Sequence, residues 1–466
     1  MLSKLSNRVR LTLAVVGFAV LAAGNLPSAR AASAFVEPSL RTATGPVKVI
    51  VVFKDRAPIP PTARSLATYS IIRRALEVNS TASQKNVAEL LRVQPLADGA
   101  IHFKSLWLIN AMLIELPASK VALLETHPDV KAIYANRTMH IIRDIRGHAA
   151  PTVDPFTYGL TMMGIPQVRQ ENPAAIGTGV TVGILDTGVD ANHPDLKGKV
   201  VNFKDFINNK TTAYDDHGHG THVSGTIAGG NTSGTAIGIA PGAKIIMGKV
   251  FGADGSASQD ELLAAMQWIA DPDGNPATHD QPALVSNSWG GTAPSPTTDP
   301  TDDVFCQALS SWLKLGIFPV FAAGNDGPDS GTVGSPGACP QAYAIGAVDE
   351  HEQVADFSSR GPTKWKSSTL NRPNVSAPGV DILSAKPGGS YQTMSGTSMA
   401  TPHAAGLLTL IYQAMPNISI DDAAKLVSTT SKDLGDKGAD PAYGAGRIDA
   451  LAAIHAAKAF RISHAQ

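Results

Sequence analysis

From about residue 158 onward, short apolar runs alternate with stretches of small residues at helical spacing, a pattern that constrains the chain to a parallel α/β sheet. Strands are expected over residues 180–185, 245–250, 283–286, 317–322 and 342–348. Between them, residues 260–269 put Leu262, Ala265, Met266 and Ile269 on one helical face. Residues 303–315 do the same with Val304, Ala308, Trp312 and Leu315. Six prolines, Pro272, Pro276, Pro282, Pro294, Pro296 and Pro300, fall in two segments that read as surface insertions.

The chain before residue 158 is of another kind. Its first residues are basic at Lys4, Arg8 and Arg10 and run into an uncharged apolar stretch, the layout of a secretory signal ending near residue 34. That stretch is shorter than a bilayer span, and no second one follows, so no membrane span is expected after signal removal. Residues 35–142 read as a small α+β unit. Strands are expected over 47–53, 106–116 and 130–135, and helices over 82–93 and 119–126. A polar, proline-containing linker, residues 143–157, joins it to the larger domain, residues 158–466. At 466 residues the chain exceeds what one hydrophobic core supports, in keeping with two units.

The formal net charge of −1 conceals an asymmetry. Residues 1–150 carry 19 Lys/Arg against 9 Asp/Glu, and residues 151–466 carry 19 against 30. Such a balance gives no basis for a nucleic-acid partner. The two cysteines, Cys306 and Cys339, have no zinc-site spacing. Outside the cell they are a candidate disulfide, with two separate buried thiols as the alternative.

Three segments put a reactive residue where α/β sheets present ligands, at strand ends and helix starts. In Val-Gly-Ile-Leu-Asp-Thr-Gly, Asp186 ends a buried strand. No second Asp-Thr-Gly occurs, which removes an aspartic dyad. In Asp-Asp-His-Gly-His-Gly-Thr-His, residues 215–222, the histidines His217, His219 and His222 crowd together. They read either as a metal cluster or as one catalytic histidine with structural neighbours. In Met-Ser-Gly-Thr-Ser-Met-Ala-Thr-Pro-His, Ser398 opens a helix whose N-terminus favours developing negative charge, with Pro402 in its first turn. A fourth string, Phe-Ala-Ala-Gly-Asn, leaves Asn325 just beyond an apolar strand.

In the order Asp, His, Asn, Ser, these four strings resemble the subtilisin family of serine proteases. The resemblance runs from about residue 158 to residue 457, and the preceding unit is similar to the family's inhibitory propeptide. It implies a three-layer fold with a mostly parallel sheet, preceded by a ferredoxin-like propeptide. Asp186 would support His219 as general base, Ser398 would be the nucleophile, and Asn325 with the Ser398 amide would hold the oxyanion. Ser288, Trp289 and Gly290 would form one wall of the primary specificity pocket, Gly324 another, and Gly334 its base. With no acid there, a large apolar P1 residue is expected. Polypeptides would be the substrates and the propeptide an intramolecular inhibitor. The enzyme would be a monomer, extracellular or periplasmic.

No cofactor is expected for the chemistry. The loop at residues 231–236 lacks the family's paired Asn ligands, so structural calcium has no assigned site, although Asp299, Asp302 and Asp303 form an acidic cluster. A metal-dependent hydrolase built on His217, His219 and His222 is the alternative, but it leaves Ser398 and Asn325 unexplained. A peptide ligase with the same triad is another.

Overall fold

A computed structural model describes residues 33–55, 66–93, 101–142, 145–146 and 154–463. The expected signal lies almost entirely outside these residues, as does most of the linker. The N-terminal unit is a five-stranded sheet: β1 (Phe35–Val36), β2 (Pro46–Phe53), β3 (His102–Leu106), β4 (Ala111–Pro117) and β5 (Val130–Ala135), in the order β1-β5-β2-β4-β3. Helices α1 (Pro38–Arg41), α2 (Leu66–Arg92) and α3 (Val121–Glu125) accompany it. Alternation along β2 fills both faces. Val49, Val51 and Phe53 meet Val87, Leu91 and Leu124, while Ile50 and Val52 meet Tyr69, Ile72 and Leu76.

Two expectations for this unit need correction. Residues 106–116 are not one strand, since β3 ends at Leu106 and β4 begins at Ala111, with a turn between them that holds Asn110 at φ 48°. The turn reads as strand because Leu108 and Ile109 are buried, and they are buried because the tip packs on the C-terminal unit. Helix α2 also starts sixteen residues earlier than residue 82; Tyr69, Ile72 and Leu76 are its inward face.

Two short strands follow, β6 (Thr138–Ile141) and β7 (Ile145–Arg146). The C-terminal unit opens with α4 (Tyr158–Met162) and α5 (Ile165–Glu171). Then come β8 (Thr181–Asp186), β9 (Val200–Asp205), α6 (His219–Ala228), β10 (Lys244–Lys249), β11 (Ser256–Ser258) and α7 (Gln259–Ile269). After them lie β12 (Leu284–Asn287), β13 (Trp289–Gly290), α8 (Val304–Lys314), β14 (Phe318–Ala322), β15 (Tyr343–Val348) and the short pair β16 (Thr363–Lys364) and β17 (Thr369–Leu370). The unit closes with β18 (Val375–Pro378), β19 (Ile382–Lys386), β20 (Ser390–Ser395), α9 (Thr397–Ala414), α10 (Ile420–Thr430) and α11 (Ala450–Ser463).

Seven strands form a fully parallel sheet in the order β18-β15-β14-β12-β8-β10-β9. Both faces are covered, which explains the near-continuous apolar runs. Val182, Ile184, Ile245, Met247, Phe318 and Val320 pack on the side of α6 and α9; Leu185, Ile246, Val285 and Phe321 pack on the side of α7 and α8. The two edge strands escaped the sequence pattern. β9 is only partly buried, and β18 is four residues ending in Pro378, a residue tolerated at an edge.

The N-terminal unit docks on α7 and α8. The amides of Trp107 and Leu108 both donate to Gln267 Oε1, at 2.6 and 3.1 Å, and Ser311 Oγ donates to Leu108 O at 2.6 Å. Asn136 exchanges two hydrogen bonds with Asp260 at the start of α7. Tyr69 OH reaches Ala270 O at 2.7 Å.

Candidate active site

Asp186 ends β8 at the middle of the sheet and is fully buried. Its Oδ1 accepts from His219 Nδ1 at 2.7 Å and from the Thr187 amide at 2.7 Å. His219 is the first residue of α6, reached through Gly218 in a left-handed turn at φ 98°. A Cβ on the next residue, Gly220, would lie 2.1 Å from Gly188 O and 3.1 Å from Asp186 Oδ1. Glycine there is what lets the first turn of α6 lie against the end of β8.

Asp215, to which the sequence motifs assign no role, organises this corner. Its two carboxylate oxygens accept from the amides of His217, Gly218 and Thr221 and from the hydroxyls of Thr187 and Thr221, at 2.6–3.1 Å. Burial works to raise its pKa, but these donors prevail and hold it below the ordinary carboxylate value. Thr187 Oγ1 in turn accepts from the Gly220 amide at 2.9 Å. Asp215 therefore fixes the loop before His219 to the strand end that carries Asp186. Its only sequence signal is its place in the Asp-Asp-His string. On the same corner, fully buried Lys249 donates to Asp216 Oδ1 and Thr187 O, both at 2.6 Å.

Ser398 is the second residue of α9, among amides that have no intrahelical acceptor. The helix begins at Thr397, which places Pro402 beyond the first turn and four residues after Ser398, a correction to the expected position. Pro402 has no N–H for the Ser398 carbonyl, and Ser288 Oγ replaces it at 2.9 Å. Ser398 Oγ donates back to Ser288 O at 3.2 Å. Asn325 lies just past β14, and its Oδ1 accepts from both the amide and the hydroxyl of Thr397 at 2.9 Å. The amide orientation is thereby set, with Nδ2 only 2.9 Å from where a Cβ on Gly396 would stand. The helix start of α9 thus brings the Asn325 side-chain donor and the Ser398 amide to one place.

Beside Ser398 lies a cleft between two short strands. β13 forms one wall, β11 the other, and β6 runs antiparallel to both, with His140 paired to Gly290 on one side and Ser256 on the other. Met139 and Ile141 pack on the core formed by α7 and α8. A Cβ on Gly291 would come within 3.1 Å of Met139, and one on Gly290 within 3.8 Å of Ile142. Gly324, at φ 117°, borders Gly334; a Cβ on Gly334 would lie 2.0 Å from Gly291 O. Trp289 contributes backbone only. Its indole is fully buried among Phe251, Phe305 and Phe321, with ring centroids 5.4–6.2 Å apart, so it is core and not pocket lining.

The three histidines do not converge on a shared metal position. His219 Nδ1 is committed to Asp186, and His222 Nε2 lies 2.9 Å from Ile382 O. Burial drives the His222 pKa down to about 3. Two residues of the acidic cluster serve as helix caps, Asp299 accepting from the Thr301 amide and Asp303 from those of Phe305 and Cys306, while Asp302 lies 3.3 Å from Lys131. In the loop at residues 231–236, the Thr232 amide donates to Asp195 Oδ1 at 2.8 Å. Cys306 and Cys339 are bonded, with sulfurs 2.06 Å apart.

A family model described as the subtilase family matches residues 177–446. Serine protease AprX of Bacillus subtilis is 34% identical over 369 residues, which cover 73% of this chain and 78% of that protein. Subtilisin Savinase of Lederbergia lenta is 34% identical over 296 residues, 64% of this chain and 97% of its own. Bacillopeptidase F of Bacillus subtilis is 31% identical over 422 residues, 83% of this chain, but the chain spans only 28% of that longer protein.

Proposed function

Because the chain belongs to the subtilase family, we propose that it is a serine endopeptidase that cleaves extended polypeptides through an acyl-enzyme on Ser398. The observation that carries this is the buried 2.7 Å contact between Asp186 and His219 at the start of α6, a helix packed on α9, whose own start holds Ser398 and fixes the Asn325 amide.

Asp186 fixes the Nδ1–H tautomer of His219, so Nε2 is the nitrogen that receives the Ser398 hydroxyl proton as Oγ attacks the scissile carbonyl. Asn325 Nδ2 and the Ser398 amide donate to the oxygen as it becomes negative. His219 returns the proton to the departing amine when the C–N bond breaks. A water molecule, deprotonated by the same nitrogen, then hydrolyses the ester and regenerates the hydroxyl. The substrate strand lies between β11 and β13, where backbone donors and acceptors position it.

The precursor is exported by the N-terminal signal, and residues 35–142 act as an inhibitory propeptide removed within the linker. In support, β6 runs antiparallel to both β11 and β13, as a substrate strand would. β7 pairs with β20, whose last residue, Ser395, is three before Ser398. The bond cut in processing therefore falls between Ile142 and Ile145. A large apolar residue is preferred at P1, in line with a wall built of Ser288, Gly290, Gly324 and Gly334, none of them charged. Secreted wild type should show a new N-terminus in that span, and Ser398→Ala should remain full length. Cleavage of a peptide library should favour large apolar P1 residues, and labelling by a serine-directed acylating reagent should occur at Ser398 alone. An unprocessed wild type with no labelled serine would sink the proposal.

A further inference from the structure

The segment between α7 and β12 reads Ala-Asp-Pro-Asp-Gly-Asn-Pro-Ala-Thr-His-Asp-Gln-Pro-Ala, residues 270–283, and takes no part in the chemistry above. Asp271, Asp273 and Asp280 each place a carboxylate oxygen within 4.8 Å of the other two. Oxygens bound to one calcium ion at 2.3–2.6 Å are separated by at most about 5 Å, so these three lie close enough to share an ion after a small adjustment of the side chains. Asp271, Asp273 and Asn275 also have the 1, 3, 5 spacing of calcium-binding loops.

A second observation is independent of the clustering. The Asp271 side chain is only 1% exposed, yet its Oδ1 has no hydrogen-bond partner. Asp280 Oδ1 and Gln281 Oε1 are likewise buried without one. All three are acceptors, and a buried acceptor without a donor is destabilising. A hard cation satisfies such oxygens where no N–H is at hand.

Among the described residues, the cation paired with Asp271 comes from the other unit. Arg73 of α2 donates through Nε to Asp271 Oδ2 at 2.7 Å, with its guanidinium 3.8 Å above the Trp107 ring and 3.1 Å from Glu77. Its side chain is 5% exposed.

We propose that Asp271, Asp273 and Asp280 form a calcium site on the catalytic unit, and that Arg73 occupies one of its ligands while the N-terminal unit is docked. Departure of that unit strips Asp271 of its counterion and leaves three carboxylates for the ion. This second half rests on the processing described under the proposed function; the site itself does not.

The test uses the uncleavable full chain, Ser398→Ala, titrated calorimetrically with calcium chloride. It therefore reads the site whether or not the wild type processes itself. Arg73→Ala added to Ser398→Ala should tighten calcium binding at least tenfold. Adding Asp273→Asn, at an exposed position that leaves folding intact, should weaken it again at least tenfold. Asp280→Asn should do likewise, with circular dichroism and melting without calcium confirming folded protein. Calcium affinity unmoved by Asp273→Asn and Asp280→Asn overturns the site. Affinity unmoved by Arg73→Ala overturns the competition.

Discussion

Ser398 depends on a contact with Ser288 that no motif announces. Pro402 deprives its carbonyl of a helical donor, and Ser288, just before the strand that forms the cleft wall, supplies one. Asp186, His219, Asn325 and Ser398 stand out in the sequence because each sits in a short string of its own. The Ser288 contact does not, because it joins residues 110 apart, and Asp215 is hidden for a related reason. Its partners come from two separate strings. Asn325→Ala should lower kcat by about 10² to 10³-fold with little change in KM, the effect of losing one oxyanion donor in a subtilisin, measured by steady-state kinetics. Two histidines make stability depend on pH. Burial pushes His222 to about 3 and His403 to about 4, so the folded chain keeps both neutral where the unfolded chain takes up protons. Their contribution is intact above about pH 6.5 and is lost as the pH falls toward 4, by about 1.4 kcal/mol per pH unit for each histidine. Melting temperature against pH should therefore drop through this window, and His403→Gln should flatten the slope.

At the level of elements, the long connections carry the pocket, and local links hold them. The disulfide ties the first turn of α8 to the segment that follows Gly334. Buried Arg372 donates to the carbonyls of Cys339, Pro340 and Ala342 just beyond it. Closing a loop with a sequence separation of 33 contributes roughly 3–4 kcal/mol in the chain-entropy model. Cys306→Ser with Cys339→Ser should lower the melting temperature of Ser398→Ala protein by several degrees. In the active enzyme the same pair should raise KM for peptides with a large P1 residue more than it lowers kcat. Sequence periodicity found the five inner strands because burial on both faces writes continuous apolar runs. It missed β9, β18 and the turn between β3 and β4, where tertiary contact and not local pattern decides the conformation. The turn was misread because Leu108 is apolar for the sake of α7 and α8, not of its own sheet.

Across the whole molecule, the charge division has a spatial counterpart. The unit with the basic excess is docked on the unit with the acidic excess, and a buried Arg73–Asp271 pair lies at their junction. Added salt should weaken that association at the rim more than at the apolar centre. Leu108→Asp would put a carboxylate among Leu263, Leu309 and Trp312, costing about 3 kcal/mol or more. Secreted full-length Leu108→Asp should yield less processed enzyme than wild type, measured by quantitative blotting of culture supernatant. The position of β6 has a wider consequence. If substrates take the place of β6, as proposed, a cleft that completes a three-stranded sheet admits a target only as a bare ribbon of backbone, so a folded protein must first release several residues from its own secondary structure. Its rate of digestion then reports how often that stretch opens, and native proteins would be ranked by local opening free energy before any side chain is read.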